Sequence, residues 1–473
     1  MTRPSVTGTG SGEQLADPHA HLGKTHAILA RCHGAATRVF LQRSARAIQD
    51  ALEHHGISFE GKRLLVSLTP TILADAELRT VARDGARIRA ALQDVITGFL
   101  AEHASGALDG PLHQFFAPYR TWWDLIASER RATEPIQLMR YDAVREDQGR
   151  WQILETNTCC PGGTIHCARV RTAWLGSPLG LEATRDTAIT ELAIDRADGF
   201  LRHFVSVAQV ASGLEAPNLA ICSYRGFYAN ELASLAAEHR RLVERRELPG
   251  GELVVCDARE LTCDDGEVAY ARGVPVAAIY NKLDPLMVDP SSDELAGWRA
   301  AVRSPRVELL NSLAAMYLTE AKRVLALLGD DAHRRALGLD AATAAAIDRL
   351  IPPSQVVVAG ALAELHDSRH RFVLKADAYT RGAGVHVGKQ LTGAAWAEAI
   401  ESTIAAHGIA QRCADTPRRI ALDPDAEREL REEYWGVDLF YFGAQFAGAV
   451  SRSHGNMVFN IGNGGKESPV VVV

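Results

Sequence analysis

What this 473-residue chain lacks sets its class first. It has no apolar stretch long enough to span a bilayer, and its opening T-R-P-S-V-T-G-T-G-S-G has no apolar core of the kind a secretory leader needs. Its eight cysteines are spread without the spacing of a disulfide framework, which points to reduced thiols in a cytoplasmic protein. A formal charge of −7, with no repeated acidic or basic segment, gives no electrostatic case for nucleic acid or an anionic membrane. What is present is an ordinary globular composition, 47% apolar and 23% charged, over a length that suggests about three domains or lobes.

The most informative stretch runs from Arg140 to Asn157, R-Y-D-A-V-R-E-D-Q-G-R-W-Q-I-L-E-T-N. Two strand-like runs flank a turn-like E-D-Q-G, and residues two apart on a strand share a face. A hairpin here brings Arg140, Asp142, Glu155 and Asn157 together: a guanidinium, two carboxylates and an amide. Such oxygen ligands suit Mg²⁺, which commonly shares its shell with substrate phosphates. A surface hairpin with a single ion pair is the plainer alternative. Far downstream, R-F-V-L-K-A-D-A-Y-T-R-G-A-G-V-H-V-G-K ends an apolar strand on Lys375 and follows it with Gly382, Gly384 and Gly388. A compact ammonium and a loop whose backbone N–H groups can approach closely are what ATP phosphates require. A glycine-rich turn beside an exposed lysine fits the same letters.

Along the chain, residues 1–20 read as a disordered tail and 21–134 as a mainly helical region. Leu22 to Leu52 is helical with a break near Gly34, and Cys32 reads as a packed thiol. L-L-V-S-L before Pro70 is a short strand candidate. A long amphipathic helix carries Leu78, Val81, Gly85, Ile88, Leu92, Val95, Ile96 and Phe99 on one face. The aromatics Phe115, Phe116, Tyr119, Trp122 and Trp123 fit core packing between lobes better than a substrate cleft. After the hairpin, in C-C-P-G-G-T-I-H-C, Cys159, Cys160, His166 and Cys167 invite a zinc reading, but the first two are vicinal rather than spaced as zinc-site pairs, so Pro161–Gly163 reads better as a turn that brings backbone close to ligand. Residues 216–300 alternate strand and helix in a Rossmann-like pattern, with L-A-I-C-S, E-L-V-V-C-D and V-A-A-I-Y-N as strands. No G-x-G-x-x-G follows the first of them, so no dinucleotide site is expected. Arg225 and Asn281 sit after strand ends, where α/β sheets bind ligands, though loop hydrogen bonding is an equal alternative. N-S-L-A-A-M-Y-L-T-E-A-K-R-V-L-A-L-L-G-D reads as one helix containing Lys322, and the last 50 residues or so as strands ending in V-V-V-V. The loop F-N-I-G-N-G-G-K, with Gly462, Gly464 and Gly465, is either a phosphate-holding loop or a turn.

Arg-x-Asp, then Glu-x-Asn, then lysines and a glycine loop resembles, over residues 135 to 473, the circularly permuted ATP-grasp ligases of the glutathionylspermidine synthetase type. The resemblance implies an α/β (α+β) ATP-grasp fold in permuted order. Residues 135–215 would form the metal hairpin and acceptor loop, 216–300 a pre-grasp domain, and 301–473 the nucleotide-binding subdomains. It further implies ATP and Mg²⁺ as cofactors, with Asp142, Glu155 and Asn157 as metal ligands and Arg140 and Arg452 as catalytic arginines that neutralise the phosphoryl group. Lys322, Lys375, Gly382 and Gly384 would bind phosphates, and Gln411, Arg412 and Cys413 would run beside adenine. The partners would be a small-molecule carboxylate and an amine, joined as an amide. A small-molecule kinase and a nucleotide-binding protein without catalysis are the alternatives; the sequence says nothing of oligomeric state.

Overall fold

The computed structural model describes residues 20–473 apart from 147, 160, 285, 360–361, 379–381, 426–429 and 459, and leaves out the side chains of 20–22 and 362–363. The expected tail up to residue 19, Cys160, and Tyr379–Arg381 at the centre of the glycine loop lie outside the described residues.

At the centre is a six-stranded sheet, all antiparallel, in the order Lys466–Ser468, Gln445–His454, Leu430–Phe442, Leu138–Arg145, Trp151–Asn157, with Arg418–Leu422 also paired to Leu430–Phe442. Strand alternation divides its residues cleanly. Met139, Tyr141, Leu439 and Tyr441 point to one side and are fully buried. Against that side lies the helix Asp75–Ala104, whose apolar stripe is the one read from sequence. Tyr141 and Tyr441 donate their hydroxyls to helix carbonyls at Gly85 (2.9 Å) and Ala82 (2.8 Å). Gly85 is required there, because a Cβ would collide with the Tyr441 ring.

A second sheet is fully parallel, in the order Glu308–Leu310, Ala278–Asn281, Leu219–Ser223, Leu253–Asp257. Helix Ala229–Glu244 joins its two strands Leu219–Ser223 and Leu253–Asp257, as alternating α/β sequence requires. A third, antiparallel sheet orders Ser354–Val356, Ile409–Arg412, Phe372–Lys375 and Val385–Val387. Helix Gly393–Ala405 covers it, forming a small separate core of Val357, Leu365, Leu374, Trp396, Ala399, Ile400 and Ala410.

Two readings need correction. The strand after L-L-V-S-L is Thr71–Leu73, beyond Pro70, pairing in parallel with Val470–Val472; the earlier run gives only an isolated bridge at Val66. Residues 311–330 are not one helix. A π turn at Ala315–Thr319 ends before Glu320, and the α-helix resumes only at Val324–Gly329. The break swings Lys322 back toward the hairpin instead of along a helix face. Asn281 is buried at the end of its strand and accepts from Trp298 Nε1 (3.1 Å), while the Arg225 guanidinium lies over Tyr224. The aromatic run does pack between elements, with Trp122 stacked on Tyr317 (4.0 Å between ring centres) and Tyr119 hydrogen-bonded to Asp377 (3.0 Å). No described helix is long and apolar enough to cross a membrane.

Candidate functional site

The other side of the central sheet is charged. Register places Arg140 opposite Asn157 and Phe440, and Asp142 opposite both Glu155 and Asp438. Arg452, two residues on from Val450, which pairs with Asp438, shares the same face. The result is a band of alternating charge across neighbouring strands. Arg140 Nε donates to Asp142 Oδ1 (2.7 Å), and Arg452 Nη2 donates to Asp142 Oδ2 (2.5 Å) and Asp438 Oδ1 (2.6 Å). Asn157 Nδ2 completes the shell of Asp142 at 2.8 Å and its Oδ1 accepts from Arg140 at 3.3 Å. Burial works to raise the Asp142 pKa, but Arg140 and Arg452 outweigh it and hold the carboxyl at about 2. Asp438, also buried and facing Asp142, is instead pushed up by burial. Burial opposes the charge on Arg452, and the two aspartates overcome it and raise its pKa.

A one-residue bulge between Asp142 and Ala143 leaves Leu154 unpaired in the opposite strand. Its carbonyl accepts from Lys375 Nζ at 2.6 Å, which bridges the central sheet to the third sheet. Beside it, Lys322 Nζ lies 3.0 Å from Glu155 Oε1. Burial depresses Lys375 to about 8. Lys322 is equally buried, but Glu155 and Glu320 more than offset that and raise its pKa. One residue past the strand of Lys375 comes Ala376 and then Asp377, which accepts from the Arg323 backbone N–H at 2.8 Å and from Tyr119. The kink after the π turn and the end of the Lys375 strand are therefore fixed to one another.

Between the two sheets runs a slot. Its lining includes Asp142, Glu155, Lys375, Gly382, Gln411, Arg412, Cys413 and Arg452 among the residues singled out from sequence. Its apolar wall comes from Val373, Val385, Val387, Leu154, Met457 and Val458. Strand register explains that wall, since Val373, Val387, Lys375, Val385 and Gln411 pair across the third sheet and so share its inner face. Gly382 and Gly384 both adopt positive φ (76° and 66°), a conformation that favours glycine, and Gly382 alone of the pair reaches the slot.

On the far side of Arg452 lies a larger cavity of about 510 Å³. Arg140, Asn157, Asp438 and Arg452 form its floor, and the loop Pro161–Gly163 with His166 and Cys167 forms one wall. Phe227–Glu231 and Ser58–Gly61 close it. Slot and cavity share Arg452 and Asn460. Arg140 and Asn157 thus face the cavity, while Lys322 and Gly384 line neither space. Ile461 borders the cavity, but Gly462, Gly464 and Gly465 do not. The sequence reading considered His166 only as part of a zinc cluster, and did not single out Asp438, Glu231 or Glu467, all of which line the cavity. Asp438 was legible in principle, because W-G-V-D-L-F-Y-F places one acid in an otherwise apolar strand.

Donors of this kind suit a hard divalent cation, although among the described residues no group of three His, Cys, Asp or Glu side chains is placed to hold one. Asp142, Glu155 and Asn157 supply only oxygen and amide groups on one sheet face, and Glu155, 23% exposed, borders the slot. No protein-family model matches the chain, and neither does any curated protein. Among solved structures it is similar to a glutathione synthetase-like effector from Globodera pallida in its apo form, with 13% identity and a TM-score of 0.56 over 93% of this chain and 98% of that one. A likeness to D-alanyl-alanine synthetase A from Vibrio cholerae O1 biovar eltor, at 9% identity and TM-score 0.28 over 48% of this chain and 67% of that one, is too slight to rest anything on. The first likeness shows a shared mixed α/β fold over nearly the whole of both chains.

Proposed function

We propose that the protein is an ATP-dependent carboxylate–amine ligase of permuted ATP-grasp type. The observation that carries the reading is the junction of slot and cavity at Arg452, with the buried charge band beneath it. The likeness to a glutathione synthetase-like protein supports it, as does the order of parts, since the acidic hairpin precedes in sequence the sheet that carries Lys375.

In this reading the slot takes the nucleotide. Its valine wall accepts the adenine ring, and the backbone of Gln411–Cys413 supplies edge hydrogen bonds. Lys375 meets phosphate oxygens, and Arg452 faces the phosphoryl group being transferred. Glu155, Asp142 and Asn157 would hold Mg²⁺, which neutralises charge on the phosphates. A substrate carboxylate in the cavity attacks the γ-phosphorus and ADP leaves, giving an acyl phosphate. The lone pair of the amine then attacks the acyl carbon, a tetrahedral intermediate forms, and inorganic phosphate departs with the former carboxylate oxygen. Arg140 and Arg452, held by Asp142 and Asp438, stabilise the negative charge of both steps without moving, which is how fixed electrostatics lowers barriers.

Incubation with Mg-ATP and pools of amino acids and amines should release ADP together with a coupled product whose mass equals the sum of the two substrates less water. A phosphorylated acceptor without coupling, or product formed without ATP consumption, overturns the assignment.

A further inference from the structure

The charge band does not stop at Arg452. Its in-register partner on the outer strand is Glu467. Cross-strand partners share a face with Cβ atoms about 5 Å apart, so the ordinary outcome is an Arg452–Glu467 ion pair. That pair does not form, because the guanidinium turns inward to Asp142 and Asp438. Glu467 lines the larger cavity, is 5% exposed, and has no ion-pair partner among the described residues. The groups facing it are Cys167 from helix His166–Leu175, Glu231 from helix Ala229–Glu244, and Asp438 and Arg452 within the sheet. Burial, with Asp438 next, pushes its carboxyl up to about 8.

A second carboxyl on the lining, Glu320, also lacks an ion pair among the described residues, but it accepts from the backbone N–H groups of Thr158 and Cys159 at 2.5 and 2.7 Å. Arg140 is matched by Asp142, and Glu231 by Lys282 at 3.2 Å. A second observation points the same way. His166, 7% exposed, lines the same cavity, and its buried Nε2 has no hydrogen-bond partner; burial lowers its pKa and keeps the ring neutral. The cavity thus holds a carboxyl whose neighbour is the Cys167 thiol rather than a cation, and an unused ring nitrogen, and both arginines on its lining are committed elsewhere.

We propose that Glu467 binds a primary ammonium group of the molecule that fills this cavity, so that the substrate there is a cationic amine or an ammonium-bearing amino acid or short peptide. That this molecule is a substrate rests on the ligase reading; the binding itself does not. The ammonium belongs either to the acid that is activated or to the amine that attacks, and the probes separate the two.

The full chain is titrated calorimetrically at pH 7 with glycylglycine, with 1,4-diaminobutane and with N-acetylglycylglycine, in buffers of different ionisation heat. We expect glycylglycine, if the acid partner carries the charge, or 1,4-diaminobutane, if the attacking amine does, to bind with release of close to one proton, roughly the occupancy of a carboxyl about one unit above the pH. Glu467→Gln should weaken that probe at least about tenfold and abolish the proton release, the loss expected for a charge-assisted contact. Glu467→Asp, which keeps the charge, should retain the release, and this separates a binding role from a folding one. The proposal is overturned if neither cationic probe binds, if the acetylated peptide binds as tightly as glycylglycine, or if Glu467→Gln leaves affinity and proton release unchanged. Mg-ADP is titrated in parallel on the wild type: Glu467-dependent ammonium binding without nucleotide binding would defeat the ligase reading and leave this one standing.

Discussion

The two sheets that face each other across the slot are built on opposite principles. The central sheet carries its charges on adjacent strands, most of them held by one another across the same face, and is backed on its other side by the long helix. The third sheet contributes Lys375 and, at a strand end, Arg412 to an otherwise apolar slot wall, and its core is a small cluster of its own. One wall therefore fixes where charge sits, while the other faces it across the slot with a largely apolar surface. A buried ion network is poor as a source of net stability, since desolvation offsets most of its Coulomb gain. Its worth here is orientation: two guanidinium groups that cannot rotate away from the junction.

Four experiments would sharpen or break this contrast. The largest effect is expected at the charged wall. Glu155→Ala should lower ATP-dependent turnover by about 10²–10³-fold, the scale of removing one fixed electrostatic contact, with the fold intact by circular dichroism. Substantial retention of ADP release would remove the slot from the mechanism. Next, Trp396→Ala should destabilise the third sheet by about 3–5 kcal/mol, the range for a buried tryptophan. In hydrogen exchange the loss of protection should stay within 354–412 and spare the central strands; a uniform loss would show that the two sheets unfold as one.

Lys375 comes third. Its pKa is lowered by burial to about 8 from an ordinary 10.5, so between those values the unfolded chain keeps a proton that the folded chain has released. Stability of the free protein should therefore rise with pH across that window. Nucleotide affinity should move the other way, falling as the ammonium is lost above pH 8, and Lys375→Met should flatten both profiles. The smallest effect is expected at the sheet's exposed end, where Arg418 pairs with Glu432 at 3.0 Å. Arg418→Ala should leave the midpoint of chemical denaturation unchanged within error, as expected for a solvent-screened surface pair.

Much of the charged wall was readable because strand alternation converts spacing directly into geometry. Arg140 with Asp142, and Glu155 with Asn157, needed only a hairpin to meet. The same logic reached the apolar stripe of Asp75–Ala104, whose period is helical. Lys322 could be named only through a resemblance, because the letters around it promise an unbroken helix. The π turn that redirects it depends on contacts such as Thr156 Oγ1 to the Thr319 carbonyl (2.7 Å), which join residues far apart in sequence. Glu467 was illegible for a related reason. Its meaning lies in an ion pair that Arg452 declines to make, and that choice is set by Asp438 and Asp142, two and three strands away.

Asp377 carries a mechanical consequence. With one carboxylate it grips the backbone N–H of Arg323 and the hydroxyl of Tyr119, while standing two residues after Lys375. The separation between the two lysine ammonium groups is therefore not the sum of two independent loop positions; it is a single manufactured dimension, machined by one side chain. Evolution could reshape the surrounding loops freely and still hand down the same gauge, and a lone change at that position would put both lysines out of true together.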